Sequence, residues 1–89
     1  MKFEWDANKE RANLAKHGID FATASEVFDD PDRIVRPDEK HGGDEQRFLC
    51  YGRVDGRVLT VRFVMREDII RIFGAGEWRI GRKIYEENN

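Results

Sequence analysis

The sequence contains a single cysteine, Cys50, and no apolar run that approaches the length of a membrane span. One cysteine excludes an intramolecular disulfide framework and any metal site built from several thiolates. A spanning helix needs about 20 mostly apolar residues, so no membrane segment is predicted, and the opening MKFEWDANKE lacks the features of a signal peptide. For a chain of 89 residues we expect one domain, residues 1–89, located in the cytoplasm.

Motifs for several common reaction classes are also missing. The sequence has no phosphate-binding P-loop, no dinucleotide-binding glycine motif, no zinc-protease motif and no serine-hydrolase nucleophile motif. No cofactor is therefore predicted, and the chemistry must be sought in the distribution of charge.

Charged residues are unevenly distributed along the chain. The formal net charge is only −2, yet residues 1–45 carry seven Lys/Arg against twelve Asp/Glu, and residues 46–85 carry nine basic against four acidic residues. Eight of those nine cations are arginines, whose planar guanidinium group suits phosphate. The second half of the chain is therefore expected to form a local basic surface that the net charge conceals.

Helix signals are concentrated in the first third of the chain. Asp6 can cap a helix over Ala7–His17, since its carboxylate can accept from the free amides of the first turn, and Gly18 follows as a typical C-terminal cap. Asp20 can likewise cap a second helix over Phe21–Phe28. The sequence thus predicts two consecutive helices after a short N-terminal segment.

The hydrophobic period then changes from 3.6 to 2, which predicts strands. Three strands are expected over Arg47–Tyr51, Arg57–Met65 and Ile69–Phe73, with Asp55-Gly56 in the first turn, Gly74-Ala75-Gly76 ending the third strand, Phe3–Trp5 as a separate edge strand and a last helix over Glu77–Glu87. The predicted order is β-α-α-(β)-β-β-β-α, with one optional strand after the second helix. It indicates an α+β fold, in which an antiparallel sheet carries two N-terminal helices and one C-terminal helix. One sheet face would be covered and the other open.

Two arginines mark the face predicted to be open. Arg62 and Arg66 share a strand face and lie about 13 Å apart at ~3.3 Å per residue, which spans roughly two phosphates of a single strand. One interpretation is a groove for an RNA or DNA backbone. The other is a solvated face with ion pairs to Glu67, Asp68 or Glu77, and the residues alone leave both open.

Two histidines are candidates for proton transfer. His17 ends the first helix and His41 lies in a glycine loop, but their spacing does not match a metal site, and no metal is predicted. The alternatives are a helix-terminal residue for His17 and an ordinary loop residue for His41. Cys50 is interpreted as a buried thiol, while Trp78 and Tyr85 fit the core better than a base-stacking platform.

Several short motifs occur together in a characteristic order. They are Phe3-Glu4-Trp5-Asp6, Lys9, Asn13, Lys16-His17-Gly18, Val27-Phe28-Asp29-Asp30-Pro31, Glu45-x-Arg47, Val58–Arg66, Arg71-Ile72 and Trp78-Arg79 with Arg82-Lys83-x-Tyr85-Glu86. In this combination the sequence resembles the BrnT family, the toxins of type II toxin–antitoxin pairs, from Phe3 to Glu87.

The resemblance implies a RelE-like fold and an endoribonuclease that needs no metal, cleaves RNA and inhibits translation. It implies neutralisation by a ribbon-helix-helix antitoxin similar to BrnA, with operator DNA bound only through the complex of toxin and antitoxin. The catalytic residues it suggests are His17, Lys16, Arg66 and Arg79, with His17 or Lys16 as base or acid. The RNA-binding residues it suggests are Arg47, Arg62, Arg71 and His41.

One segment departs from the family pattern. Many members have Ile-Ser-Ala-Arg where this chain has Phe73-Gly74-Ala75-Gly76. We expect Arg79 to fill the space left at Gly76. The departure keeps open a second interpretation, a BrnT-like module that binds its antitoxin and regulates its operon without catalysis. A third is a small nucleic-acid-binding domain. A homodimer through the Phe3–Trp5 edge is also compatible with the sequence.

Overall fold

The computed structural model describes residues 1–40 and 43–89 of the chain. Its elements are β1 (Lys2–Trp5), α1 (Ala7–His17), α2 (Phe21–Ser25), a 3₁₀ turn (Glu26–Asp29), β2 (Ile34–Pro37), β3 (Arg47–Val54), β4 (Arg57–Arg66), β5 (Ile69–Gly76) and α3 (Arg79–Glu87). This arrangement confirms the predicted α+β fold with two N-terminal helices and one C-terminal helix. No helix within the described residues has the length and hydropathy to cross a membrane.

The five strands form one sheet in the order β1-β5-β4-β3-β2. Antiparallel pairing joins β2 to β3, β3 to β4 and β4 to β5, whereas β1 runs parallel to β5. The N-terminal strand therefore lies at an edge, as predicted, but the sheet is mixed rather than wholly antiparallel. Tight hairpins impose antiparallel pairing on β3, β4 and β5, while β1 reaches β5 through the rest of the chain and is free to pair in parallel.

The local signals in the sequence have the expected geometry. Asp6 accepts from the Lys9 N–H at 3.0 Å, and Gly18 closes α1 with φ of 71° and an N–H bond of 2.8 Å to the Leu14 carbonyl. Asp55 and Gly56 both have positive φ, at 49° and 80°, as a two-residue hairpin turn requires. The predicted bounds of α1 and the predicted turn are confirmed.

Four predicted element bounds differ from the structure by two residues or more, and one of them is the end of β3, which was predicted at Tyr51 but lies at Val54. The helix predicted over Phe21–Phe28 is α-helical only to Ser25 and continues as the 3₁₀ turn. The third strand of the meander does not end before Gly74 but continues to Gly76, because residues 74–76 pair with residues 60–62 of β4. On the other side of the strand, the Ala75 N–H donates to the Asn13 side chain at 3.1 Å. The last helix was predicted to begin at Glu77 but begins two residues further along the chain, at Arg79.

Helices cover both faces of the sheet, although the sequence predicted only one covered face. On the first face, α2 and the 3₁₀ turn pack over a core that includes Leu59, Val61 and Cys50, and burial raises the pKa of the Cys50 thiol to about 12. The interpretation of Cys50 as a buried thiol is confirmed. On the second face α3 covers one end, where Tyr85 is buried and a Cβ at Gly81 would collide with the Thr60 hydroxyl.

Candidate functional site

Four arginines lie on the second face of the sheet, beyond the end that α3 covers. Arg62 and Arg66 alternate along β4, Arg47 on β3 pairs with Val64, and Val64 in turn pairs with Arg71 on β5. The alternation predicted from the sequence thus places arginines from three adjacent strands on one surface. We call this surface, together with the depressions described next, the cationic groove.

The cationic groove consists of two adjoining depressions. The larger, of about 320 Å³, is lined by Lys9, Ala12, Asn13, Lys16, His17, Arg62, Phe73 and Gly74. The smaller, of about 90 Å³, is lined by Lys9, Glu45, Arg47, Val64, Arg66, Arg71 and Phe73. Lys9 and Phe73 line both depressions, so helix α1 and strands β3, β4 and β5 contribute to one continuous surface.

Two of the four arginines are engaged by carboxylates. Arg66 donates from Nε and Nη2 to Glu45 at 2.9 and 3.3 Å, and Arg71 donates from Nη1 to Glu4 at 2.5 Å. The hydrogen bonds from Arg66, and also the field of Arg71 and Arg47, hold the pKa of Glu45 below its ordinary value of 4.5. Glu45 therefore remains ionised and bound to Arg66 at neutral pH.

The other two arginines contact an aromatic ring instead. The guanidinium carbons of Arg47 and Arg62 each lie 5.0 Å from the centroid of the Phe73 ring. No carboxylate among the described residues forms an ion pair with either of them. Their N–H donors are therefore the most available for an incoming phosphate.

The last turn of α1 brings two proton-transfer candidates, His17 and Lys16, to the larger depression. The half-buried His17 ring meets the Trp78 indole edge-on, with 5.2 Å between the ring centroids. Asn13 fixes this turn against β5, because its side chain donates to the Ile19 carbonyl at 3.0 Å and accepts from the Ala75 N–H. The position of His17 is thus fixed by the attachment of α1 to β5 and by the contact with Trp78.

The cationic groove brings together most of the residues that the sequence suggested, namely Lys16, His17, Arg47, Arg62, Arg66 and Arg71. Arg79 does not line it and instead lies with other charged residues of α3. The expectation that Arg79 fills the space above Gly76 is wrong, because the Trp78 indole occupies that space. His41 lies outside the described residues.

Two lining residues, Lys9 and Phe73, were not singled out as site residues from the sequence. Lys9 precedes Lys16 by seven residues, which is two helical turns and places both on one face of α1. Phe73 lies two residues after Arg71 on β5, so strand alternation places both side chains on one face. The helical spacing of the two lysines is the signal that identifies Lys9.

Other parts of the described surface are less suited to a polyanion. A depression of about 360 Å³ at the far end of the sheet is lined by Glu26, Asp29, Asp30 and Asp55 with a single arginine, Arg53. Its carboxylates would repel phosphate. Among residues 1–40 and 43–89, no group of three or more His, Cys, Asp or Glu side chains is arranged to hold a metal ion.

Comparison with known proteins gives one family. A family model described as "Ribonuclease toxin, BrnT, of type II toxin-antitoxin system" matches residues 5–80. This range includes every lining residue of the cationic groove as well as Arg79. No curated protein matches the chain.

Proposed function

The chain belongs to the family of BrnT ribonuclease toxins of type II toxin–antitoxin systems, and we therefore propose that it is an endoribonuclease that cleaves RNA in the cationic groove. One observation carries the proposal: six cations from a helix and three strands line the same surface as a histidine. Cleavage of messenger RNA in the cytoplasm would inhibit translation.

The groove suits a sugar–phosphate strand better than a small ligand. Its two depressions extend along the sheet, and its cations can each neutralise a phosphate and release a counterion. Arg47 and Arg62 would bind phosphate first, because neither is engaged by a described carboxylate. Arg66 and Arg71 would follow by exchanging Glu45 and Glu4 for the RNA backbone.

The reaction we assign to this site is attack by the ribose 2′-oxygen on the adjacent phosphorus. The 2′-oxygen forms a bond to phosphorus while the bond from phosphorus to the 5′-oxygen breaks, which leaves a 2′,3′-cyclic phosphate and a 5′-hydroxyl. We assign His17 to accept the 2′-hydroxyl proton and Lys16 to donate a proton to the leaving 5′-oxygen. The guanidinium groups of Arg62 and Arg47 stabilise the extra negative charge of the transition state.

The donor set of the groove favours a reaction that needs no metal. Its walls present guanidinium, ammonium and imidazole groups, whereas Mg²⁺ prefers carboxylate and carbonyl oxygens. The amide oxygen of Asn13 already accepts from the Ala75 N–H. Glu45, the one carboxylate among the described residues that lines either depression, is bound by Arg66. We therefore expect cleavage to continue in the presence of EDTA.

A type II toxin has a protein antitoxin as its partner. We propose that this antitoxin is a ribbon-helix-helix protein whose acidic residues cover the cationic groove, and that operator DNA is bound only through the complex of the two proteins. The positive potential of the groove supports an acidic partner surface.

The test is cleavage of a 5′-labelled single-stranded RNA by the full-length chain. We expect His17→Ala to lower the rate about 10²-fold or more through loss of proton transfer. Arg62→Ala should lower it about 10²-fold through loss of charge stabilisation. Products should carry 2′,3′-cyclic phosphate ends, and a 2′-deoxy substitution at the cleaved position should block the reaction.

Arg57→Ala is the matched control for Arg62→Ala. Arg57 is on the same strand but forms an ion pair with Glu77 at 3.2 Å outside the groove. Its removal should change the rate less than threefold. Full activity in both the His17 and Arg62 variants would contradict the site assignment.

A binding module without catalysis is the second candidate. It is favoured by the absence of an arginine at position 76, where many family members have one. The Trp78 indole fills the space above Gly76 instead. In that case the wild-type chain would bind its antitoxin and regulate its operon with it, but would release no cyclic-phosphate product in the same assay.

A further inference from the structure

Phe73 is the extra residue of a β-bulge. In the pairing of β4 with β5, Phe63 lies opposite Ile72 and Arg62 lies opposite Gly74, so Phe73 has no partner. Gly74 faces the Arg62 side chain, because a Cβ added at Gly74 would lie 3.4 Å from the Arg62 Cδ, and Phe73 lines both depressions of the groove. The side-chain positions of Phe73 and Gly74 thus point to the same face, which regular alternation of two successive residues would not allow.

The Phe73 ring lies beside two cations, Arg47 and Arg62, on the groove face of the sheet. Arg47 pairs with Val64 and Arg62 with Leu49, so the two arginines are diagonal neighbours on adjacent strands. Like charges at such a distance repel, and no described carboxylate pairs with either of them. The ring offers both guanidinium groups a favourable contact, at 5.0 Å from its centroid in each case.

We propose that Phe73 is a positioning residue, which holds the guanidinium groups of Arg47 and Arg62 in the orientation that stabilises the transition state. This inference rests on the proposed function, because it assigns the two arginines to the reacting phosphate. Both guanidinium groups lie over this ring and the Phe73 side chain is only partly exposed, which leaves less of it accessible to a nucleobase. Stacking on RNA is therefore not the role that we assign to it.

The first test compares Phe73→Ile with Phe73→Tyr in the RNA cleavage assay. Isoleucine suits a strand but has no π face, while tyrosine retains one. Loss of two cation–π contacts should lower kcat about tenfold with KM changed less than threefold, because positioning matters most in the transition state. Phe73→Tyr should stay within threefold of wild type. Phe73→Leu is a second apolar variant should the isoleucine variant fold poorly.

A double-mutant cycle separates positioning from stacking. In an Arg47→Ala, Arg62→Ala background, Phe73→Ile should have less than a twofold further effect on kcat, because the groups it positions are gone. A tenfold further loss in that background would instead show that the ring contacts RNA directly, and would overturn the proposal.

A measurement on the free protein does not depend on catalysis. In ¹⁵N-labelled full-length chain, the Nε–H signals of Arg47 and Arg62 should be shifted by the ring and should be rigid. Phe73→Ile should move both signals to the positions of mobile arginines, while Phe48→Leu, which removes a ring on the other sheet face that stacks on Phe63, should not. Unchanged arginine signals in the Phe73 variant would overturn the inference even if the chain cleaves RNA. A wild-type chain that cleaves no RNA would refute the proposed function instead.

Discussion

At the scale of single residues, the four arginines of the cationic groove differ in how easily each can bind a phosphate. Glu45 accepts two hydrogen bonds from Arg66, and Glu4 accepts one from Arg71. A carboxylate offers a guanidinium group two oxygens much as a phosphate does. In the proposed complex, RNA would have to displace these carboxylates before it could bind Arg66 or Arg71, whereas Arg47 and Arg62 would require no such exchange.

Glu45→Gln should therefore strengthen RNA binding. An exposed ion pair contributes little, so its removal should raise the affinity for an uncleavable RNA only modestly, about threefold at neutral pH. Because the pKa of Glu45 lies below 4.5, the pair persists above that pH and is lost as the pH falls through the lowered value. The affinities of the variant and the wild type should accordingly converge in acid. Fluorescence anisotropy across pH measures both effects.

Asp44→Asn is the control for this change. It removes the same charge at the adjacent position, where the residue is exposed and does not line the groove. Equal gains in affinity from the two variants would mean that net charge, rather than release of Arg66, is responsible.

At the scale of secondary-structure elements, Asp30 connects three of them. It follows the 3₁₀ turn and accepts from the Arg53 N–H of β3 at 2.7 Å and from the Tyr85 hydroxyl of α3 at 2.6 Å. Since the 3₁₀ turn and α3 pack on opposite faces of the sheet, this carboxylate joins the two layers at one end. These contacts help to fix α3, which begins directly after Trp78, the residue whose indole contacts the His17 ring.

Asp30→Asn tests this connection and its dependence on pH. Burial raises the pKa of Asp30, but hydrogen bonds from Tyr85, Arg53 and Asp32 lower it by more, so it lies below the ordinary 3.8. The stabilisation is fully present above that value and is lost as the pH falls through the folded-state value. The variant should lower the free energy of unfolding by about 1–2 kcal/mol at neutral pH, and by less in acid. Urea unfolding at both pH values measures the difference.

The neighbouring Asp29→Asn serves as the control, because Asp29 is exposed and should change stability little. A gap between wild type and Asp30→Asn that stays constant into acid would show that the Asp30 charge contributes nothing to these bonds.

The sequence predicted an element correctly where the contacts that fix its end come from adjacent residues, and less well where they come from distant ones. The caps at Asp6 and Gly18 and the turn at Asp55-Gly56 depend on a few adjacent residues, and they were predicted correctly. The end of β5 was not, because residues 74–76 are held in the strand by pairing with β4 and by Asn13, which is distant in sequence and accepts from the Ala75 N–H. The position of α3 on the second face was also missed, since it depends on the close approach of Gly81 to Thr60.

At the scale of the whole molecule, the part of the candidate site that depends on local sequence patterns was predictable, and the part that depends on distant contacts was not. Strand alternation, a property of the sequence alone, places Arg62 and Arg66 on one face. Arg79 was grouped with them because the sequence could not show that Trp78 covers Gly76. Phe73 lies two residues after Arg71 on β5, so alternation places it on the groove face as well, whereas the bulge that brings Gly74 to the same face is a property of the assembled sheet.

The overall charge distribution makes a prediction about the antitoxin. The chain has a net charge of −2, yet the described part of the cationic groove has six cations and one lining carboxylate, so its local potential is positive. An acidic partner that covers this groove should associate about tenfold more slowly when salt is raised from about 50 to about 500 mM. It should also compete with RNA for binding. Stopped-flow association and RNA competition with the purified antitoxin measure these effects.

Charge reversal in the groove should slow this association further. Arg62→Glu should lower the association rate by about tenfold at low salt, because it places a negative charge where the acidic partner approaches. Arg57→Glu makes the same change on the same strand outside the groove and should have a much smaller effect. If the antitoxin complex still bound RNA with the affinity of the free chain, the antitoxin would have to bind elsewhere, and neutralisation would require a change transmitted through the sheet.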